Sequence, residues 1–389
     1  MKIEKCRWKN GSKSAVMFMI DDLANKYIKF NKCVQGCDWG AKGFTQGSFF
    51  NFLNKNLLEK YPYIKTTFFL VVGKREPIIR NGNDYYSDSI DANENIRNFI
   101  NTLSEYDNVE LAYHGFTHGK CSDNIDDFLE EWETFNSVDE AIECIIKGKN
   151  MFKKVTGKDF LGGKYCGYKY NEYSDESIRR SGFLWWCKDW DGDLFDINRK
   201  NVSFDIREKD GVWILPSNID GSFYTIKNIK KFFTKKYMKS IYMLLTKRLT
   251  LEKQLDYLIN NHYLISIQEH TSPYRVDNRT QYPNIVSDIE NLNYIFNYLK
   301  KYDLWYATGS EIAKYTRSFE NTIIYSISEG FKIFCNELDE GETLTIRIES
   351  SKKLKKLVSN DEEIELINKG KNIYIANIKL NNEKQYKVL

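Results

Sequence analysis

The sequence predicts an α/β protein whose parallel strands form a distorted barrel, followed by a small C-terminal all-β domain. Short apolar runs alternate with amphipathic helical patterns over about 300 residues, as they do where helices connect parallel strands. Seven or eight such runs occur, and this number favours a (β/α) barrel over an open sheet. After about Ser318 no long helical pattern follows, so we expect domains at residues 1–317 and 318–389.

The strand candidates are continuous apolar runs, which are typical of strands buried on both faces of a sheet. Three of them run into titratable residues: Ala15–Ile20, Val109–Tyr113 and, after Gln268, Leu264–Ile267. The other runs are Thr66–Val72, Phe160–Leu161, Phe183–Cys187, Val212–Leu215 and Leu304–Ala307. In the C-terminal part the strand-like runs are Thr322–Ser328, Phe331–Cys335, Thr343–Ile348 and Ile373–Ala376.

Two helices are the clearest between these strands. The first begins at Ser137, which forms a capping box with Glu140, and it ends near Gly157. Its predicted apolar face consists of Val138, Ala141, Ile142, Ile145 and Ile146. The second helix covers about residues 285–301.

The composition excludes several classes of protein. The chain has 389 residues, of which 42% are hydrophobic and 15% aromatic, so disorder is not its main state. No run approaches the roughly 20 apolar residues of a membrane span. We see no signal peptide and therefore expect a cytoplasmic protein. The net charge of +3, from 57 basic and 54 acidic residues, is too balanced to indicate nucleic-acid binding.

Titratable residues stand at the carboxyl ends of three of the strand candidates. Asp21 and Asp22 follow the first strand, His114 and His118 follow the strand that ends at residue 113, and His270 follows the strand near residue 267. In a barrel of parallel strands, all carboxyl ends open onto one face. The sequence therefore predicts that these side chains, including three of the four histidines, meet in one site.

The residue types in this cluster favour metal-assisted hydrolysis. Two imidazoles and one carboxylate are the donor set of a catalytic zinc site, which leaves positions for water and substrate. A second carboxylate can accept the proton of the attacking water, and a histidine across the site can protonate the leaving group. Each motif alone would equally fit a solvated loop or a packed histidine, but their order at strand ends favours the metal site.

These motifs resemble those of the polysaccharide deacetylases, carbohydrate esterase family 4. The segment Phe18-Met19-Ile20-Asp21-Asp22 is similar to the first motif of the family, and His114-Gly115-Phe116-Thr117-His118 is similar to the second. The apolar strand that ends in His270 is similar to the last motif. The resemblance covers about residues 12–317.

The resemblance implies specific roles for these residues. Asp21 would be the catalytic base, and His270 would be the general acid. Asp22, His114 and His118 would bind one divalent metal ion, with Zn²⁺ as the expected metal.

The chain departs from the family pattern on the substrate side of the site. Lys164 stands where the family has an arginine that orients the base, and a lysine does not hold a carboxylate bidentately. In the second motif, Gly115 replaces a hydroxyl residue. The tryptophans could stack on sugar rings, since aromatic faces offer apolar area with a defined orientation, or they could pack in the core. The candidate substrate-binding residues are Lys164, Tyr165, Trp39, Asp189 and Trp190.

The function implied by the resemblance is removal of an N-acetyl group from an acetamido sugar or glycan intermediate, in surface polysaccharide biosynthesis. Two alternatives stay open: a metal-dependent amidohydrolase for a non-sugar amide, and a catalytically degenerate carbohydrate-binding protein. The expected partner is a carbohydrate substrate, with no nucleic acid and no membrane span. The oligomeric state, the sugar and the position of deacetylation are not predicted by the sequence.

Overall fold

The structure of the protein is a computed structural model that describes residues 1–28, 38–74, 85–192, 204–222, 251–271, 281–336, 341–360 and 362–389. Two compact units are present. The α/β unit comprises Val16–Lys301 and Tyr306–Ser310. The β unit comprises Met1–Ala15, Tyr302–Trp305 and Glu311–Leu389. The predicted domain boundary after residue 317 stays a prediction, and the structure adds that the N-terminal residues belong to the β unit.

The secondary structure begins and ends at the following residues. The strands are β1 (Lys2–Lys5), β2 (Ser14–Leu23), β3 (Asn25–Ile28), β4 (Thr66–Leu70), β5 (Tyr85–Asp88), β6 (Val109–Tyr113), β7 (Gly119–Lys120), β8 (Leu129–Glu130), β9 (Gly162–Lys164), β10 (Trp185–Cys187), β11 (Arg207–Lys209), β12 (Val212–Ile214), β13 (Ile219–Asp220), β14 (Ile265–His270), β15 (Leu304–Tyr306), β16 (Thr322–Ile327), β17 (Gly330–Cys335), β18 (Thr343–Glu349), β19 (Lys356–Val358), β20 (Glu363–Glu365), β21 (Ile367–Gly370), β22 (Ile373–Lys379) and β23 (Glu383–Val388). The α-helices are α1 (Phe49–Leu53), α2 (Glu94–Ser104), α3 (Val138–Thr156), α4 (Ser174–Arg180), α5 (Leu251–Asn260), α6 (Ile285–Leu299) and α7 (Gly309–Asn321).

A central parallel sheet organises the α/β unit. Its strands lie in the order β11-β12-β10-β9-β6-β4-β2-β14-β13. Neighbouring strands from β12 to β13 along this order are parallel, and only β11 runs antiparallel at the edge. The mixed α/β class with a central parallel sheet is thus confirmed. Closure of this sheet into a barrel stays a prediction.

The strand predicted at Phe160–Leu161 lies two residues later, as β9, and begins with two glycines. A Cβ atom on Gly162 would stand 2.0 Å from Cε2 of Trp185, and one on Gly163 would stand 2.3 Å from Cζ3 of Trp186. The indole rings of the neighbouring strand therefore occupy the space that side chains on β9 would need. A Gly-Gly pair is typical of a turn, which is why the predicted strand stopped before these residues.

Helix α3 has the predicted ends. The hydroxyl of Ser137 accepts a hydrogen bond from the amide of Glu140, and Gly157 ends the helix with a left-handed φ of 73°. The predicted apolar face is only partly correct, because Ile146 is 41% exposed while Gly148 and Phe152 are buried. Helix α6 covers most of the second predicted helix.

The β unit contains two antiparallel sheets. One has the order β1-β18-β22-β21, and the other has the order β16-β17-β23-β19-β20. The four strand-like runs predicted from the C-terminal sequence correspond to β16, β17, β18 and β22. Among the residues that the structure describes, no helix has the length and apolar character that a membrane crossing requires.

Candidate active site

The five residues that the sequence places at strand ends line one cavity of the α/β unit. Asp21 and Asp22 lie near the carboxyl end of β2, His114 directly follows β6, and His270 is the last residue of β14. Strands β2 and β14 pair in a register that sets His270 opposite Asp21. The cavity has a volume of about 430 Å³, and these four residues and His118 all form part of its wall.

Two nitrogen atoms and one oxygen atom lie close together among the residues that line this cavity. Oδ1 of Asp22 lies 2.9 Å from Nε2 of His118 and 3.6 Å from Nε2 of His114. The backbone of Asp22 and that of His118 are both left-handed, with φ of 67° and 68°. Such conformations cost about 1–3 kcal/mol for residues other than glycine and are concentrated at functional sites.

A contact at Nδ1 orients each of the two imidazole rings. Nδ1 of His114 lies 3.1 Å from the carbonyl oxygen of Lys164 and donates to it, which leaves the lone pair on Nε2. Nδ1 of His118 faces Oε2 of Glu130 at 3.1 Å, a close ionic contact without the alignment of a full hydrogen bond. Each Nε2 atom is therefore presented to Asp22. Outer carboxylate and carbonyl partners of this kind orient histidine ligands in metal sites.

The electrostatics of the cluster favour a cation. Burial opposes ionisation of Asp22, but the neighbouring His118 and His114 outweigh it and hold the pKa of Asp22 well below its usual range. Burial also opposes the charged form of His118, yet Glu130 and Asp22 together raise the pKa of His118 to about 9. A buried carboxylate, Asp22, and a partly buried one, Glu130, thus both stabilise the protonated imidazole of His118. A divalent cation would replace that proton with a charge better matched to the carboxylates.

A second donor combination includes a cysteine. Cys166 lies near His114 and His118, so that one donor atom from each of the three residues falls within 4.8 Å of the others. Its thiol is fully buried and donates to the main-chain oxygen of His114 at 3.1 Å. Among the described residues of the cavity wall, Asp22 is present and Cys166 is not. Asp22 therefore fits the third ligand position better.

The two carboxylate oxygens of Asp21 differ in their contacts. Its Oδ2 accepts from Nζ of Lys164 at 2.6 Å and from Nε2 of Gln268 at 3.2 Å. Among the residues that the structure describes, its buried Oδ1 has no hydrogen-bond partner. Nε2 of His270 lies 3.9 Å from Oδ2, while Nδ1 of His270 contacts the carbonyl oxygen of Pro283 at 2.7 Å. An orphaned carboxylate oxygen beside a cluster of metal-type donors has the position of a proton acceptor.

Lys164 contacts the predicted base instead of lining the substrate space. Its side chain is 1% exposed and lies over the rings of Tyr168 and Phe69, at 4.4 and 5.4 Å from the ring centroids. The amine occupies the place next to Asp21 that the resemblance gives to an arginine. Lys164 therefore contacts Asp21, and the substrate-binding role predicted from the sequence stays a prediction.

The other candidate substrate residues divide into two groups. Trp190 lines the cavity together with Tyr168 and Tyr282. Trp39 and Tyr165 are buried at 5% and 1% exposure and are absent from the described part of the wall, as is Asp189. The hydroxyl of Tyr165 donates to Asp175 at 3.0 Å, and Asp189 accepts from Tyr170 at 3.1 Å. A contact of Trp39, Tyr165 or Asp189 with substrate stays a prediction.

Among known proteins, similarity to this chain is found in solved structures. No family model and no curated protein matches the chain. The solved structures that it resembles include a protein described as a polysaccharide deacetylase from Mycobacterium smegmatis, with 15% identity, a TM-score of 0.46, and coverage of 80% of this chain and 93% of the other. Another, from Pseudomonas aeruginosa PAO1 and described in the same way, has 13% identity, a TM-score of 0.45, and coverage of 80% and 93%.

A pseudoenzyme of the same family is also among these structures. This protein, from Bacillus anthracis, has 13% identity, a TM-score of 0.36, and coverage of 77% of this chain and 65% of the other. Other similar structures are described as an allantoinase and as a 4-alpha-glucanotransferase from Thermococcus litoralis, so the described activities of these proteins differ. At these identities and TM-scores, the activity of this chain has to be argued from its own residues.

Three residues that contact the cluster were not predicted from the sequence. Gln268 holds Asp21, and its Oε1 accepts from the hydroxyls of Tyr168 and Ser217. The other two are Glu130 and Glu131, which lie beside His118. Gln268 stands two residues before His270 on β14, and since alternate residues share a face, this spacing was a usable signal. No such signal marks the two glutamates, which come from a turn-rich segment.

Proposed function

We propose that this protein is a metal-dependent hydrolase that removes the N-acetyl group from an acetamido sugar or glycan intermediate. The observation that supports this function is the meeting of Asp22, His114 and His118 beside the unpartnered oxygen of Asp21, in a cavity that also contains His270. This arrangement contains a cation-binding donor set, a proton acceptor and a proton donor within one small volume.

Asp22, His114 and His118 would hold the metal ion through one carboxylate oxygen and two Nε2 atoms. A divalent cation bound there would polarise the amide carbonyl and lower the pKa of a water molecule. Both Nδ1 atoms are already engaged, by the Lys164 carbonyl and by Glu130, so the ligand atoms are oriented before a cation binds.

Asp21 is the proton acceptor in this proposal. Lys164 and Gln268 fix its Oδ2 atom, so that Oδ1 keeps its direction and receives the proton of the attacking water. Because both oxygens are buried, bulk water does not compete for them. A base held within hydrogen-bond reach of its target contributes about 10²–10⁴-fold to the rate of such a reaction.

His270 is the proton donor for the departing amine. The Pro283 carbonyl accepts from Nδ1 at 2.7 Å, which leaves Nε2 as the ring atom that carries and transfers a proton on the cavity side. This atom lies 3.9 Å from Oδ2 of Asp21, and the two residues stand on adjacent strands. Such a pair can act on the two ends of one scissile C–N bond.

The cavity wall favours a ring-shaped substrate. Tyr168, Trp190 and Tyr282 lie around the same space as the catalytic cluster. Aromatic faces stack on the apolar faces of sugar rings and fix their orientation. This feature favours a sugar amide over a linear peptide-like amide.

Acetate release tests the activity. Wild-type protein supplied with Zn²⁺ is incubated with oligomers of N-acetylglucosamine, beside Asp21→Asn and a matched control, Asp175→Asn. Asp175 also forms an ion pair with a lysine, Lys188, at 2.6 Å, but it lies outside the described cavity wall. We expect Asp21→Asn to lose about 10²–10⁴-fold in kcat and the control to stay within about threefold of wild type. Near-normal turnover by Asp21→Asn would exclude Asp21 as the base.

Metal content tests the ligand set independently of substrate. His118→Asn is compared with His262→Asn, because both histidines have a left-handed backbone, with φ of 68° and 57°, that asparagine tolerates. We expect about one ion per chain in wild type and in the His262 variant, and most of it lost in the His118 variant. A wild-type protein without metal after Zn²⁺ addition would refute the mechanism and favour the carbohydrate-binding alternative.

A further inference from the structure

One buried carboxylate binds the backbone of the segment that carries His118. Oε1 of Glu131 accepts from the amide of Phe116 at 2.9 Å, and Oε2 accepts from the amides of Thr117 and His118 at 2.5 and 2.9 Å. The hydroxyl of Thr117 also donates to Oε2, at 3.1 Å. Glu131 is 3% exposed, so these contacts are shielded from water. Three consecutive amides that point to one anion form a backbone nest.

A short hairpin brings this carboxylate to His118. Strand β7 pairs with β8 in a register that sets Gly119 opposite Glu130, and the amide of Glu131 donates to the carbonyl of His118 at 3.1 Å. The chain therefore leaves His118, turns, and returns with two adjacent glutamates beside it. Glu130 faces the imidazole ring of His118, while Glu131 binds its backbone.

The glycine at position 115 is explained by the same carboxylate. Gly115 has a φ of 90°, and a Cβ atom built there would stand 2.8 Å from Oε2 of Glu131. A side chain at this position would meet both a strained backbone and the carboxylate. This contact gives a physical reason why the chain has Gly115 where the motif that it resembles has a hydroxyl residue.

We propose that Glu131 is a positioning residue for the metal ligand His118, an inference that rests on the proposed function. The left-handed φ of 68° at His118 makes the conformation of the loop 115–118 unfavourable on its own. Charge-assisted hydrogen bonds from three successive amides stabilise this conformation. Without the carboxylate, the loop relaxes, and Nε2 of His118 no longer meets Asp22.

The test compares Glu131→Gln with a matched control, Asp38→Asn. Glutamine keeps the shape of the side chain but directs an amide group at one of the amide donors. Asp38 is also a buried carboxylate that binds loop amides, of Phe49 at 2.5 Å and Lys42 at 3.0 Å, and it lies outside the described cavity wall. Its loss controls for a general decrease in stability.

Three readouts are taken on each full-length variant. The dissociation constant for Co²⁺ is measured by competition with a chromogenic chelator, and the visible spectrum of the cobalt form reports ligand geometry. Amide hydrogen exchange of residues 116–118 is followed in the metal-free protein. For Glu131→Gln we expect about 10–100-fold weaker binding, an altered spectrum and faster exchange. For Asp38→Asn we expect wild-type values for all three.

A second variant approaches the same contact from the other side. Gly115→Ala pushes a methyl group against Oε2 of Glu131, so it should weaken Co²⁺ binding in the same way. If wild type binds Co²⁺ and Glu131→Gln binds it with the same affinity and spectrum, the positioning role is wrong. If wild type binds no metal, the proposed function fails. Hydrogen exchange at 116–118 then decides about Glu131 by itself, and unchanged exchange in Glu131→Gln overturns the inference.

Discussion

The buried pair of Lys164 and Asp21 is the contact whose removal should have the largest energetic effect in the site. Nζ lies 2.6 Å from Oδ2, with side-chain exposures of 1% and 4%. We consider Lys164→Met, which keeps the length of the side chain and removes its charge. Without the ammonium group, Asp21 keeps a single described donor, Nε2 of Gln268, for its charged oxygen.

The magnitude follows from the geometry. At 2.6 Å, two unit charges attract by about 6 kcal/mol at an effective dielectric constant of 20, and the loss of hydration of both groups offsets much of this. Breaking a buried pair by removing one partner costs about 3–5 kcal/mol, because the other charge stays buried. Lys164→Met should therefore lower the free energy of unfolding by about 3–5 kcal/mol. The double variant with Asp21→Asn should lose about 2–3 kcal/mol less than the sum of the single variants.

Urea unfolding with tryptophan fluorescence measures this coupling. The buried Trp132, Trp185 and Trp186 report on the α/β unit. A chelator is present throughout, because a cation next to Asp22 would offset the charge of Asp21. The control is Lys188→Met.

Lys188 makes a pair of the same length, 2.6 Å, with Asp175, but the exposures of its two side chains are 14% and 34%. Solvent screening limits such a pair to about 1 kcal/mol. A coupling between Lys164 and Asp21 below about 0.5 kcal/mol would refute the view that Lys164 neutralises and orients the base.

Three further predictions concern the contacts around the site. Gln268→Leu should lower kcat on N-acetylglucosamine oligomers about tenfold and leave KM within about twofold, because Asp21 loses a donor at 3.2 Å; acetate release measures both constants. Gly162→Ala should destabilise the protein by about 3 kcal/mol, seen as a lower melting temperature, because its Cβ would stand 2.0 Å from the ring of Trp185. Burial raises the pKa of Asp288 to about 7, so the folded state binds this proton more tightly than the unfolded state. The free energy of unfolding should therefore decrease as the pH rises from about 4 to about 7. In urea unfolding, Asp288→Asn should flatten this dependence.

Each of these predictions has a control or a contradicting result. A higher KM with unchanged kcat in Gln268→Leu would assign Gln268 to substrate binding. Gly182→Ala, where no atom lies within 4 Å of the added Cβ, should cost only the strain of its φ of 72°, about 1 kcal/mol. An Asp288→Asn variant with the same pH dependence as wild type would show that another group is responsible.

Local sequence patterns predicted that five titratable residues at strand ends share one site. Apolar runs predict where buried strands end, and parallel strands present their carboxyl ends at one edge, so the proximity of Asp21, His114 and His270 follows without any long-range information. The structure brings these residues together with Asp22 and His118 in one wall. The strand of Gly162-Gly163 was predicted two residues too early, because its place is set by the indoles of the next strand and not by its own side chains.

The partners of these residues could not be predicted in the same way. Lys164 and Asp21 are 143 residues apart, and Gln268 is 247 residues from Asp21. Nothing in the local sequence of either partner indicates the other. The role of Glu131 depends on a hairpin register that pairs Gly119 with Glu130, and a shift of one residue would direct the carboxylate to the opposite face.

The sequence by itself therefore determined the class of the fold, the ends of the main strands and the residue types of the candidate metal and proton-transfer groups, since these depend on periodicity along the chain. Only the tertiary structure decided which oxygen of Asp21 accepts from Lys164, which nitrogen of each imidazole faces Asp22, and that Glu131 binds the amides of residues 116–118. The physical reason is that hydrogen bonds are short and directional. Their partners are set by how distant segments pack, to within a fraction of an ångström, and not by the order of residues along the chain.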